Sequence, residues 1–213
     1  MVDFNDIMER IQEFKTESLT SKISVLEKSL VGANNRSAAN LLKEVGVDDE
    51  LMEGALIIKQ VAGEINVIIH TLGILHYLPD ILKDGEEVEY LSLGAGNTGK
   101  NFDLETNLCV AEFKFINWRG GAEVIRQNKL FEDFYKLAEY ESEKEKYLFL
   151  LGLDIPLKFL TGQRALNSVL SKNVKMRNEF FSKYGERFSV VREYYEFKKH
   201  AVKLVDLNQN PYI

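Results

Sequence analysis

The chain has 213 residues, a length that suits one sizeable domain with a helical extension. Its apolar fraction of 45% and charged fraction of 28% are ordinary for a globular protein, and three prolines exclude a long Pro-rich linker. The net charge of −6 excludes a chain that is basic throughout, so any contact with a polyanion has to come from a local patch. One such patch is visible: residues 171–203 carry nine Lys/Arg against four Glu. Cys109 is the only cysteine, which excludes an intrachain disulfide and a Cys-based metal site and fits a reducing, cytoplasmic compartment.

Helical spacing of Ile7, Ile11, Phe14, Leu19 and Ile23 predicts a helix over 5–30, with a break where Thr and Ser cluster around Ser21. The early acidic residues lack the basic start and apolar core of a signal peptide. Ser37 is expected to cap a short helix that ends near Gly46. Asp48 or Asp49 then caps a long helix to about Tyr77, punctuated by Pro79 and Gly85. Its apolar stretch, 51–82, is interrupted by Lys59, Glu64, His70 and His76, which predicts a buried helix and not a membrane span. From residue 88 the period changes to two. Strands are expected over 88–93, 102–106 and 108–116, with a Gly/Asn-rich turn over 94–100. An amphipathic helix over 122–140 follows, built on Val124, Ile125, Leu130, Phe131, Phe134 and Leu137. The apolar run 147–151 reads as a central strand, the remainder as mostly helical, and 201–205 as a last strand. The order is that of an α/β domain: a mixed central sheet flanked by helices over 47–213, with 1–46 as a helical N-terminal extension.

The chemistry concentrates in FDLETNLCVAEFKF, residues 102–115. Residues two apart on a strand point the same way, so Glu112 and Lys114 project together from the face of Val110. A hairpin at Thr106-Asn107 brings Asp103 toward both. Val110, Phe113, Phe115 and Ile116 make this strand apolar on both faces, so two charges within it need a reason. Two carboxylates and a lysine suit a hard divalent cation held by oxygen ligands, beside a fixed positive charge that stabilises a developing anion.

Asp103, the eight-residue gap and Glu112-Phe113-Lys114 on an apolar strand resemble the PD-(D/E)xK nuclease superfamily, whose fold is restriction-endonuclease-like. The resemblance spans about 48–151 as helix, three-strand meander, helix and strand, with Phe102 where proline often precedes the Asp. It implies a Mg²⁺- or Mn²⁺-dependent nuclease, endo- or exonuclease, a hydrolase of phosphodiester bonds in which Glu64, Asp103 and Glu112 hold the metal and Lys114 supports attack by water. Glu64 stands on the preceding helix, in a stripe with Ile57, Val61, Ile68, Leu72 and Leu75. Gln127 matches a glutamine that some subfamilies carry on the helix after the lysine strand, which makes it a further catalytic candidate, and Arg119 and Arg126 are candidates for phosphate contact. The implied partner is nucleic acid, DNA favoured over RNA, with no membrane and with a homodimer as one way to frame the substrate.

Other signals are weaker. Gly94-Ala-Gly-Asn-Thr-Gly-Lys100 nearly matches a phosphate-binding loop, but Asn101 replaces the required Ser/Thr and a strand follows in place of a helix. His70 and His76 are six apart, too far round a helix to share a face, so no zinc site is expected. Trp118 and the aromatics interleaved with the basic C-terminal residues are read as packing before stacking on bases. Thr161-Gly162-Gln163-Arg164 is either a substrate loop or a helix end. The rival to an enzyme is a non-catalytic module that uses the same fold to bind nucleic acid or protein.

Overall fold

The computed structural model describes residues 3–15, 18–94, 101–118, 120 and 123–209. It divides into two compact units, Met1–Asn66 and Val67–Ile213. The boundary falls inside one long helix and not near residue 46, where the sequence changes character.

The first unit is helical. α1 (Phe4–Lys15) and α2 (Leu19–Leu30) are separate helices. The break expected at Ser21 lies earlier, because Ser18 is extended and its hydroxyl accepts from the Ser21 amide at 3.3 Å. α3 (Asn35–Val45) is capped by Asn34, not by Ser37; the Ser37 hydroxyl instead accepts from the Asn34 amide and completes a capping box. Gly46, at φ +71°, closes that helix in the left-handed region. α4 (Asp49–Ile81) begins in this unit, and Ile7 is buried against its Gly54, where an added Cβ would lie 2.7 Å from the isoleucine.

The second unit is α/β. Among the described residues its sheet has five strands in the order β1 (Val88–Leu91), β2 (Leu104–Thr106), β3 (Cys109–Lys114), β4 (Glu145–Leu150) and β5 (Lys203–Asp206). The first three form an antiparallel meander, and β4 and β5 continue it in parallel. The β2–β3 turn is set by Thr106, whose buried hydroxyl accepts from the amides of Leu108 (3.0 Å) and Cys109 (2.8 Å). The near phosphate-loop stretch, 95–100, lies outside the described residues.

β3 is buried on both faces, as its composition predicts. Ala111 and Phe113 face Ile74, Tyr77, Leu78 and Ile81 of α4. Val110 faces α5 (Val124–Glu139), through Leu130, Phe131, Phe134 and Leu137, and the C-terminal helices behind it. Those helices, α6 (Asp154–Leu160), α7 (Leu166–Val169), α8 (Val174–Tyr184) and α9 (Val191–Lys198), fill the second layer. Val124 and Ile125 do not join the inward face: they sit in the first turn of α5 and are exposed.

Two expectations about α4 are corrected. It runs through Pro79 to Ile81, because a proline near the end of a helix removes a single backbone hydrogen bond while Leu82 still bonds back to Leu78 at 3.2 Å. It is also not a buried helix. Apolar residues surround its middle on nearly every side, and packing on a sheet covers a single stripe. In the second unit Val67, Ile68, Ile69, Leu72 and Leu75 remain exposed. By length and composition α4 is long and apolar enough to cross a membrane.

The basic C-terminal segment is partly neutralised. Lys183 and Lys198 both pair with Glu139, Lys199 with Glu196 and Lys203 with Glu145. Its aromatics are mainly core: Phe180, Phe188 and Tyr194 are buried, and Phe181, Tyr184 and Tyr195 pack against them. Glu139 is the hub, accepting from the hydroxyls of Tyr184 (2.7 Å) and Tyr194 (2.6 Å). Burial alone would raise its pKa, but the two lysines and two hydroxyls reverse this and hold it at about 2.

Candidate active site

The β2–β3 hairpin does what the spacing requires. Leu104 pairs with Ala111 and Glu105 with Val110, so Asp103, just ahead of β2, comes beside the Glu112-Phe113 stretch of β3. Asp103 is held there from two sides: the Phe113 amide donates to its Oδ2 at 3.0 Å, and His70 Nε2 stands 3.4 Å from its Oδ1. The backbone amide of Ser92 also donates to the Asp103 carbonyl at 2.7 Å. His70 reaches the site because α4 lies close to the end of β3. Gly73 makes that approach feasible: a Cβ there would sit 2.5 Å from the Phe115 ring.

Glu112 is only 7% exposed. Its carboxyl is hydrogen-bonded to that of Asp103, and Lys114 Nζ lies 3.6 Å from its Oε2. The ammonium makes a closer charge contact, 2.8 Å, with Asp133 Oδ2 on α5. Three carboxylates thus surround one lysine in a largely buried site. Burial and the charges of Asp133 and Asp103 push Glu112 up to about 9, with Lys114 offsetting part of this. Asp103 moves the other way. Burial would raise it, but His70, the Phe113 amide and the hydrogen bond from Glu112 lower it. The two carboxyls therefore share one proton at neutral pH, with Glu112 as the protonated partner. Burial would lower the Lys114 pKa, and the carboxylates of Asp133 and Glu112 raise it, so the ammonium stays charged.

A buried carboxyl pair that keeps a proton is a pair that a divalent cation can discharge, since the cation replaces the proton and offsets the repulsion. The donor types fit Mg²⁺ or Mn²⁺. Among the described residues, however, no group of three His, Cys, Asp or Glu side chains is gathered closely enough to hold a metal. Asp103 and Glu112 are the two oxygen donors in contact within the second unit. Glu64 belongs to the first unit and is exposed; the α4 residue that meets Asp103 is His70.

Of the other expected residues, Gln127 is half-buried near the start of α5 and accepts a hydrogen bond from Arg164 Nη1 at 2.6 Å. Arg126 is exposed and pairs with Glu123 at 3.0 Å. Arg119 lies outside the described residues. Trp118 packs against the core. Sequence reasoning missed Asp133 and His70; Arg164 belongs to the segment that it read as either a substrate loop or a helix end. Asp133 carried a signal that went unused: it stands among Leu130, Phe131, Phe134 and Leu137, where a carboxylate needs a partner. No protein-family model, curated protein or solved structure matches this chain.

Proposed function

We propose that the second unit is a restriction-endonuclease-like core of PD-(D/E)xK type and that the protein is a metal-dependent nuclease acting on DNA in the cytoplasm. The observation that carries this reading is the contact of Asp103 with Glu112, with the Lys114 ammonium 3.6 Å from Glu112 and 2.8 Å from Asp133. The order of helix, meander, helix and strand around it supports the same reading.

Asp103 and Glu112 would hold Mg²⁺ or Mn²⁺, and the resemblance assigns Glu64 to the same ion. A bound divalent cation supplies a water of lowered pKa and charge neutralisation at phosphate. The chain's own residues do the rest. The Phe113 amide and His70 fix the Asp103 carboxylate. Asp133 keeps Lys114 protonated and aimed beside Glu112, so its role is to stabilise negative charge growing on the phosphate, not to abstract a proton. The test is Mg²⁺- or Mn²⁺-dependent degradation of single- and double-stranded DNA and of RNA, compared with Lys114→Ala and with Glu64→Ala. Lys114→Ala should retain metal binding and lose cleavage. Glu64→Ala should weaken metal binding.

A second reading, a non-catalytic module, is favoured by the exposed apolar residues of α4 at Ile68, Leu72 and Leu75, a surface for a protein partner such as a second copy of the chain. Lys59, Glu64 and His70 within the same helix favour a protein neighbour over lipid. Calorimetric titration separates the readings, because the enzyme needs specific Mg²⁺ or Mn²⁺ binding and the module does not.

A further inference from the structure

The cleft beside the start of α5 has a volume of about 360 Å³ and is lined by Gly120, Gln127, Lys158, Phe159, Gly162 and Arg164, among others. Among the described residues no carboxylate lines it. Lys158 and Arg164 bring two positive charges to one place in an acidic protein, and among the described residues neither is paired with an Asp or Glu. Uncompensated cations facing one cleft mark an anion site.

Its parts are held in place. The segment carrying Arg164 is tied to the start of α9: the Val191 amide donates to the Arg164 carbonyl at 2.9 Å, and the Arg192 amide to the Gly162 carbonyl at 3.2 Å. The side chain is fixed as well. A guanidinium can only donate, so the Gln127 atom that it meets at 2.6 Å is the carbonyl Oε1. The Gln127 amide nitrogen is thereby left as a donor. Phe159, 6% exposed, forms an apolar floor. The cleft offers a planar fork, a point charge and an amide N–H, which together match the oxygens of a phosphodiester.

Its position ties it to the carboxylate site. Gln127 and Asp133 lie on α5 six residues apart, so about 9 Å separates them along the axis at ~1.5 Å per residue. Asp133 touches Lys114.

We propose that this cleft is a phosphate subsite that grips the nucleic-acid backbone close to the reacting bond, through Arg164, Lys158 and Gln127. The inference rests on the nuclease reading for its ligand. It gives the Thr161–Arg164 segment a role that its sequence leaves open, and it turns Gln127 from a catalytic candidate into a backbone contact.

The test measures binding apart from cleavage. Anisotropy of a labelled DNA oligonucleotide is followed in EDTA across a salt series, for the full-length wild type, for Lys158→Ala with Arg164→Ala, for Arg164→Lys, and for Lys199→Ala as an exposed control on the loss of charge. Thermal melts confirm that each variant is folded. The double variant should bind about 10- to 100-fold more weakly, with a salt slope shallower by about two because two phosphate contacts are gone. Arg164→Lys should recover part of the affinity and Lys199→Ala should match wild type. Wild-type affinity and slope in a folded double variant, beside a wild type that cleaves DNA, would overturn the subsite and leave the nuclease reading intact. DNA binding that depends on both cations, with no cleavage under any metal, would support the subsite and overturn the nuclease reading. Inorganic phosphate bound by wild type and lost in the double variant, with DNA affinity unchanged, would reassign the cleft to a free anion and overturn the proposal.

Discussion

Replacing Glu112 by glutamine should stabilise the metal-free protein at alkaline pH and leave it unchanged in acid. Burial and two neighbouring carboxylates raise Glu112 from an ordinary 4.5 to about 9. Between these values the folded chain keeps a proton that the unfolded chain has released. The unfolded state binds fewer protons there, so stability falls as pH rises through the window, by at most about 1.4 kcal/mol per pH unit for this group. Asp103 does not cancel the slope. Its lowered pKa acts below its ordinary 3.8, and its contribution is constant above that value. At pH 7.5 the ceiling is therefore about 4 kcal/mol. In Glu112→Gln the neutral amide would imitate the protonated carboxyl and still donate to Asp103, while Lys114 keeps its contact with Asp133. The Lys114 ammonium at 3.6 Å already lowers the Glu112 pKa, so its effect is included in that ceiling. For a chain of this size, a gain of a few kcal/mol corresponds to a melting temperature higher by roughly 5–10 °C. The assay is differential scanning fluorimetry in EDTA at pH 5 and pH 8, repeated with Mn²⁺. Wild type should fall from pH 5 to pH 8, Glu112→Gln should stay nearly level, and Mn²⁺ should raise wild type alone. Parallel melting curves for both proteins across this range would refute the shared-proton site.

Further outcomes follow from the same contacts. Asp133→Asn should lower kcat about 10- to 100-fold with little change in metal affinity, read from single-turnover cleavage beside calorimetry, because it releases Lys114 without removing a metal donor. It should also cost about 3 kcal/mol in denaturant melts, since a buried lysine loses its nearest counter-charge. Gly73→Ala should displace Phe115 and loosen the approach of α4 to β3, lowering the melting temperature and weakening metal binding together, whereas Gly63→Ala, where an added Cβ meets nothing, should do neither. Glu139→Gln should destabilise the protein at neutral pH by about 2–3 kcal/mol. Glu139 is depressed to about 2, so its contribution is full above 4.5 and fades as pH falls toward 2, and the difference between variant and wild type should shrink in acid.

Much of the second unit was legible in the sequence because its signals are local. The Thr106-Asn107 turn, the double-sided burial of β3 and the two-residue offset between Glu112 and Lys114 follow from strand period and turn chemistry, and the hairpin brings Asp103 to them. What was not legible depends on packing between distant elements. Asp133 is 21 residues beyond Glu112, and its contact with Lys114 exists because α5 lies over the Val110 face of β3. His70 reaches Asp103 through a close approach permitted by Gly73, which no periodicity announces. The basic C-terminal stretch is less free than its composition suggests for the same reason: Glu139 and Glu145, far off in sequence, pair with Lys183, Lys198 and Lys203. The apolar middle of α4 was read as buried from composition, but composition does not say how many faces a neighbour will cover.

The most direct test is cleavage of a labelled DNA substrate, in single- and double-stranded form, by wild type, Lys114→Ala and Asp103→Asn with Mn²⁺ or Mg²⁺ and with EDTA. Cleavage by wild type that requires the metal, is lost in both variants, and is accompanied by metal binding in Lys114→Ala but not in Asp103→Asn is the predicted result. Equal cleavage by all three proteins, or a wild type that neither binds the metal nor cuts any nucleic acid, would contradict it.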